Sequence, residues 1–319
     1  MRIALLEPLG IPSQMVEELA RPIAEAGHEF VSYDQRTTDV TELTRRSSGA
    51  DVVMIANTPY PADVIRSTES LRMIAVAFTG IDHVGLDACR ERGITVCNCA
   101  GYSDTSVAEL TLGLAIDVLR KVVPGDVAAR TGGTSAGLMG SEISGKTVGV
   151  VGTGHIGTQV GRLFGAFGAR VLGYARHENP VATRAGIEFV PNLDDLLARS
   201  DIVTLHVPSD ASTRGMIDAR GLELMPQGSV LINCARGAVV DNEALARALD
   251  QGHLAGAGVD VFDMEPPLPA DYPLAHARNV VLTPHVGFLT QEAMRRRARI
   301  EFDNVTSWLE GEPRNVCSL

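Results

Sequence analysis

Val148-Gly149-Val150-Val151-Gly152-Thr153-Gly154-His155-Ile156-Gly157 is an apolar run that breaks into G-x-G-x-x-G and resumes as Thr158-Gln159-Val160-Gly161-Arg162-Leu163-Phe164. The run reads as a buried strand, the glycines as a tight turn and the continuation as a helix. Gly152 permits the turn, Gly154 lets backbone approach a pyrophosphate, and Gly157 lets the helix pack close to the strand. The N–H groups of the helix start then face the phosphates of a dinucleotide. In a chain with 32 glycines such a triplet can arise by chance, so the flanks decide. A β-rich run precedes it, helical spacing follows, and a second strand at residues 170–175 arrives where a βαβ unit requires one.

Outward from this unit, 319 residues suggest two domains, each with its own core. A formal net charge of -11 argues against a nucleic-acid surface and against an anionic membrane, although a local arginine can still bind an acid in a closed pocket. The five cysteines are odd in number and lack paired metal-ligand spacing, which points to reduced thiols in a cytoplasmic protein and to no metal site. Cys97 and Cys99 share one side of a predicted strand and read as buried small hydrophobes. No signal-peptide pattern opens the chain, and no stretch has transmembrane length.

Towards the N-terminus, short apolar runs at 3–6, 30–33, 52–55, 73–78 and 94–97 alternate with helical segments at 13–26 and 61–67, a pattern that predicts a parallel α/β sheet. None of these strands carries the glycine fingerprint, so the first hundred residues form a separate domain. Its loop at 77–84 follows a strand, where open α/β sheets bind ligands. The segment 104–121 predicts a helix long enough to cross between domains. Residues 122–145 show little periodicity and read as a linker, with an arm on another subunit as the alternative. After the fingerprint a second array of strands (188–190, 202–207, 230–234, 258–262, 280–283) and helices (193–199, 219–225, 242–251) completes a doubly wound pattern. A last helix at 291–310 returns to the first domain.

Three segments in the second half then point to a family: Leu231-Ile232-Asn233-Cys234-Ala235-Arg236-Gly237, Gly258-Val259-Asp260-Val261-Phe262-Asp263-Met264-Glu265-Pro266 and Leu282-Thr283-Pro284-His285-Val286-Gly287. In order and spacing the chain resembles the D-isomer-specific 2-hydroxyacid dehydrogenases, the glyoxylate and hydroxypyruvate reductases among them, over nearly its whole length. The resemblance implies a Rossmann dinucleotide-binding domain (102–288) inserted into a flavodoxin-like substrate domain (1–101 and 289–319), usually as a homodimer. A 2-keto acid needs a cation for its carboxylate, and Arg236 supplies a planar, permanently charged fork. It also needs a proton donor at its carbonyl oxygen. His285 is of the residue type that can both give and take a proton near neutral pH, and Glu265 would orient its ring and favour the protonated form. The cofactor-binding set is Gly152, Gly154, His155, Ile156, Gly157, Ala175, Arg176, Pro208 and Asp260. By the resemblance, Asp260 contacts the nicotinamide amide, and Val76, Thr79 and Gly80 help hold the substrate carboxylate.

Where NAD-specific members end the second Rossmann strand in an acid, this chain has Ala175-Arg176-His177, which predicts NADP(H) over NAD(H), with Glu178 as the alternative ribose ligand. The arm tryptophan of many relatives is replaced by Arg130-Thr131-Gly132-Gly133-Thr134-Ser135. Glutamate at 265 argues against formate oxidation, and the end at Leu319 is expected to leave no room for a regulatory domain. The expected activity is reduction of a small 2-keto acid such as glyoxylate, hydroxypyruvate or pyruvate. Alternatives are a dinucleotide-sensing corepressor or scaffold, or a dehydrogenase for phosphoglycerate or phosphite. Against phosphoglycerate stands the lack of a basic residue in Asn57-Thr58-Pro59-Tyr60. Tyr60, Phe78, Tyr102 and Phe288 are candidate pocket residues.

Overall fold

The computed structural model describes every residue, Met1–Leu319. The chain forms two compact units, one made of Met1–Ser103 with Leu289–Leu319 and the other of Asp104–Phe288.

The first unit is built on β1 (Arg2–Leu5), β2 (Glu29–Ser32), β3 (Val52–Ile55), β4 (Met73–Val76) and β5 (Thr95–Cys97). They pair in parallel in the order β2-β1-β3-β4-β5, the flavodoxin-like arrangement. Each of the central strands β3 and β4 is apolar at every position because helices cover both sheet faces. The helix Gln291–Leu309 belongs to this unit and opens with Thr290 Oγ1 accepting from the Ala293 N–H at 3.1 Å. Met294, Ala298, Phe302 and Val305 bury one of its faces. Beyond it, Val316 pairs antiparallel with Cys97 on the β5 edge.

The second unit holds β6 (Thr147–Val151), β7 (Arg170–Tyr174), β8 (Glu188–Phe189), β9 (Ile202–Leu205), β10 (Val230–Asn233), β11 (Gly256–Val259) and β12 (Val280–Leu282). The order β12-β11-β10-β9-β6-β7-β8 is a Rossmann sheet with one added parallel strand, and the chain reverses direction of winding between β6 and β9. The helix His155–Ala166 buries Gly157, Val160, Gly161 and Phe164, spaced three and four apart, against the sheet. Phe164 is wholly buried, which stabilises the unit by about 1.5–3 kcal/mol.

Two sequence expectations change here. The helix Asp104–Arg120 lies entirely within the second unit, where it packs on the helix His155–Ala166 and on β10 and β11. Residues 122–145 are not all irregular, because Val122–Arg130 is a helix. Pro124 and Gly125 hide it in the sequence. Yet Pro124 lies in its first turn, where backbone N–H groups have no intrahelical acceptor and proline costs little. No residue of this helix is buried, and Val122, Val123 and Val127 are each about half exposed.

Candidate active site

At the carboxyl end of β6 the glycine turn is set by sterics. Gly152 has φ +95°, and a Cβ on Gly157 would stand 1.9 Å from the Gly152 carbonyl oxygen, so only glycine lets the helix start this close. Gly154 is the N-cap and offers no side-chain acceptor, which leaves the first N–H groups of a twelve-residue helix facing outward. The Thr153 hydroxyl is buried without a hydrogen-bond partner. Asn179 Nδ2 donates to the Thr153 carbonyl at 2.6 Å and ties the turn to the segment after β7. An uncapped helix start and an orphaned hydroxyl fit the pyrophosphate of a dinucleotide. His155 is exposed and lies 3.4 Å from Asp104, whereas the Ile156 side chain packs into the core, leaving only its backbone for a ligand.

The adjoining depression, about 450 Å³, is lined by Tyr174, Ala175, Arg176, His206 and Pro208 among others. Arg176 Nη2 stands 3.7 Å from Asp210 Oδ2. Ser212 bonds hold the Asp210 carboxyl below its ordinary range, and Arg176 adds to the effect. The Glu178 carboxylate accepts from Thr183 Oγ1 at 2.9 Å, so it is occupied by the start of the next helix. Burial pushes His206 down to about 3, and its ring bonds the Thr204 hydroxyl at 2.8 Å, so it lines the depression as a neutral ring.

The second cluster lies at the carboxyl ends of the adjacent strands β10, β11 and β12. After β10, Asn233 Oδ1 accepts from Ala235 N at 3.0 Å and its Nδ2 donates to the Arg236 carbonyl at 3.0 Å, which fixes the turn that projects Arg236. A Cβ on Gly237 would fall 1.8 Å from the Phe262 carbonyl carbon, so this turn can lie against the segment after β11 only with glycine there. Tyr272 anchors that segment by donating to Asp263 Oδ1 at 2.7 Å. From it Glu265 reaches His285, whose Nδ1 lies 3.0 Å from both carboxylate oxygens. A carboxylate only accepts, so Nδ1 is the donor in this pair. Phe288 meets the imidazole edge-on at 5.4 Å.

His285 has φ +56°, a left-handed conformation that costs a non-glycine residue about 1–3 kcal/mol. Asp260 opposes that cost. Its carbonyl accepts from His285 N at 2.8 Å, Oδ1 from Thr283 Oγ1 at 2.6 Å and Val286 N at 2.8 Å, and Oδ2 from Gly287 N at 2.8 Å. Its side chain is 1% exposed, and burial pushes the carboxyl up while the bonds from Thr283, Val286 and Gly287 pull it back. Sequence reasoning gave Asp260 a cofactor contact and missed this bracing of the histidine loop. A lone aspartate closing an apolar strand was its only signal.

The model of the D-isomer specific 2-hydroxyacid dehydrogenase NAD binding domain matches residues 112–287. A glycerate dehydrogenase of Methylorubrum extorquens is 35% identical over 302 residues, 91% of this chain and 92% of that protein. The chain belongs to the D-isomer specific 2-hydroxyacid dehydrogenase family. A D-3-phosphoglycerate dehydrogenase of Methanocaldococcus jannaschii is 37% identical over 85% of the chain, which spans 52% of that relative's length. Among solved structures, an acyclic imino acid reductase in complex with NADPH and D-Arg superimposes with TM-score 0.89 at 30% identity, covering 100% of both chains.

In this 2-hydroxyacid dehydrogenase, Val76, Thr79 and Gly80 lie in the first unit, at the carboxyl end of β4. The Val76 side chain is in the core, while Thr79 is exposed. Ala77 N donates to Ile55 O at 2.7 Å and Asn98 Nδ2 to the Thr79 carbonyl at 2.8 Å, fixing the loop. Beside it, buried Glu7 accepts from Ala56 N at 2.8 Å and Thr58 N at 2.9 Å. Arg36 donates to Thr58 Oγ1 at 3.1 Å and the Asn57 carbonyl at 3.0 Å. Tyr60 and Tyr102 are fully packed, at 0% and 1% exposed. Burial pushes the thiols up, Cys234 to about 12.

Proposed function

We propose that this dehydrogenase is a cytoplasmic reductase of small 2-keto acids, of the glyoxylate, hydroxypyruvate or pyruvate class, that prefers NADP(H) to NAD(H). The observation that carries the proposal is His285 held by Glu265 and braced from Asp260, beside the turn that projects Arg236. In the reduction Arg236 binds the substrate carboxylate through its planar fork. Val76, Thr79 and Gly80 add backbone N–H groups. His285 delivers the Nε2 proton to the carbonyl oxygen and takes it back in the oxidation, and Glu265 stabilises the imidazolium while fixing the ring. A bound nicotinamide supplies hydride chemistry, with Gly152, Gly154, Gly157 and the backbone of His155 and Ile156 at its pyrophosphate and Ala175, Arg176 and Pro208 around its adenosine.

Residues 1–101 and 289–319 then serve the substrate and 102–288 the dinucleotide. The exposed valine face of Val122–Arg130 supports a homodimer formed through this arm. NADP(H) is supported by neutral Ala175, by Arg176 beside it and by the engagement of Glu178 with Thr183. Initial rates with glyoxylate and hydroxypyruvate, using NADPH and NADH, test the reading. Turnover with neither cofactor across a wider keto-acid panel removes it.

One observation favours a second substrate. Arg36 brings over Asn57 and Thr58 the guanidinium that Asn57-Thr58-Pro59-Tyr60 lacks, and the phosphoglycerate dehydrogenase relative acts on a phosphorylated acid. Faster turnover of 3-phosphohydroxypyruvate than of hydroxypyruvate would select it.

A further inference from the structure

The segment after β9 places a fixed carboxylate opposite Arg176. Asp210 Oδ1 accepts from Ser212 N at 2.8 Å and from Ser212 Oγ at 2.6 Å, and Asp210 N donates to Thr213 Oγ1 at 2.8 Å. Thr213 Oγ1 in turn donates to the Pro208 carbonyl at 2.6 Å. These bonds lock one carboxylate oxygen into the turn. The other, Oδ2, faces Arg176 Nη2 at 3.7 Å. The guanidinium that would meet a 2′-phosphate therefore already has an anionic neighbour that cannot swing away without breaking the turn.

A 2′-phosphate brings close to two negative charges towards this pair, whereas the ribose hydroxyls of the unphosphorylated dinucleotide bring none. Arg176 attracts the phosphate and Asp210, beside it, repels it. The carboxylate therefore subtracts from the attraction that Arg176 supplies.

We propose that Asp210 is a specificity-determining residue that holds down, without abolishing, the preference for a 2′-phosphorylated dinucleotide. The inference rests on the reading of Arg176 as the 2′-phosphate contact. It adds a second, opposing determinant from a different strand of the sheet. His177, which lines the same depression, is unchanged by the test below.

Asp210→Asn keeps Oδ1 as an acceptor for Ser212 and removes the charge at Oδ2. Equilibrium titration with NADPH and NADH should show NADPH affinity rising about five- to tenfold while NADH changes less than about twofold. Adenosine 2′,5′-bisphosphate against AMP should show the same split, isolating the effect to this end of the ligand. In Arg176→Ala the substitution at 210 should lose most of its effect, since an anion no longer held near the pocket lip feels Asp210 less. Equal changes for both dinucleotides, or no change for either, overturn the role of Asp210. An unchanged NADPH-to-NADH ratio in Arg176→Ala alone overturns the underlying reading of Arg176 and is scored separately. If Asp210→Asn misfolds, Asp210→Ser supplies a short uncharged acceptor to the turn and must give the same split.

Discussion

The two α/β units bury charge in different ways. In the second unit Asp260 is the buried carboxylate, and it sits where the histidine loop begins. The first unit buries Glu7, Arg46, Arg297 and Glu301. There Arg46 donates to the Leu6 carbonyl at 2.8 Å and Arg297 to the Leu9 carbonyl at 2.8 Å, so guanidinium groups replace regular secondary structure in holding the loops after β1. A buried charge costs several kcal/mol unless its partners compensate. The contrast teaches that the second unit places this cost at the edge that carries His285, while the first uses it to join segments distant in sequence.

The largest test of this contrast is at the reactive edge. His285→Ala should lower kcat by about 10²–10⁴ while leaving the Kd for NADPH within a few-fold, because proton transfer is lost and the glycine turn is untouched. Stopped-flow turnover beside equilibrium titration checks it, and a kcat within a few-fold of wild type removes the acid/base role. Arg236→Ala should lower kcat/KM for glyoxylate by about 10²-fold, with both parameters affected, as expected for a charge that binds the substrate and holds the transition state more tightly still.

Asp260→Asn comes next. An amide nitrogen at one carboxylate position faces a backbone N–H of Val286 or Gly287 instead of accepting from it. The expected cost is about 1–3 kcal/mol in stability, read by urea unfolding, together with a loss of kcat that exceeds the loss in NADPH affinity. Intact kcat in that variant would show that the brace does not position His285.

The last test lies in the first unit and reads stability alone. Both Glu301 oxygens are buried without hydrogen-bond partners; burial pushes the carboxyl well above its ordinary range, Arg297 pulls it down and Glu7 pushes it further up. The folded state therefore holds this proton more tightly than the unfolded chain. Stability from this group is complete below the unfolded value near 4.3 and declines as pH rises through the window up to the folded value, with a limiting slope of about 1.4 kcal/mol per pH unit. Glu301→Gln should flatten that decline, so its stability relative to wild type should rise with pH above the unfolded value until the folded value is passed, as read by thermal unfolding. A pH-independent difference would contradict a shifted Glu301.

The legibility of the sequence follows the same division. The Rossmann sheet could be read because its strands are apolar at nearly every buried position and its turns carry glycines with one steric reason each, as at Gly157. Arg236, Glu265 and His285 could be named because three ordered segments carry them, and the structure brings Glu265 onto His285. What stayed hidden depends on partners far apart in the chain. Asp210 opposite Arg176, Glu7 beneath Ala56 and Thr58, and Asp260 beneath the histidine loop leave no local periodicity. The helix Val122–Arg130 was hidden for another reason, since helix-breaking residues occupy a first turn that tolerates them.

The insertion of one unit into the other has a consequence for the order of synthesis. Residues 1–103 leave the ribosome first, but Met294, Ala298, Phe302 and Val305, which fill part of that unit's core, are translated after all of Asp104–Phe288. At about 5–20 residues per second, the amino-terminal sheet waits tens of seconds with one face incompletely covered. The glycine-turn unit is contiguous and can close during that interval. The nascent chain thus completes its second half before its first, and the β4 surface that the last helix covers stays open in that interval.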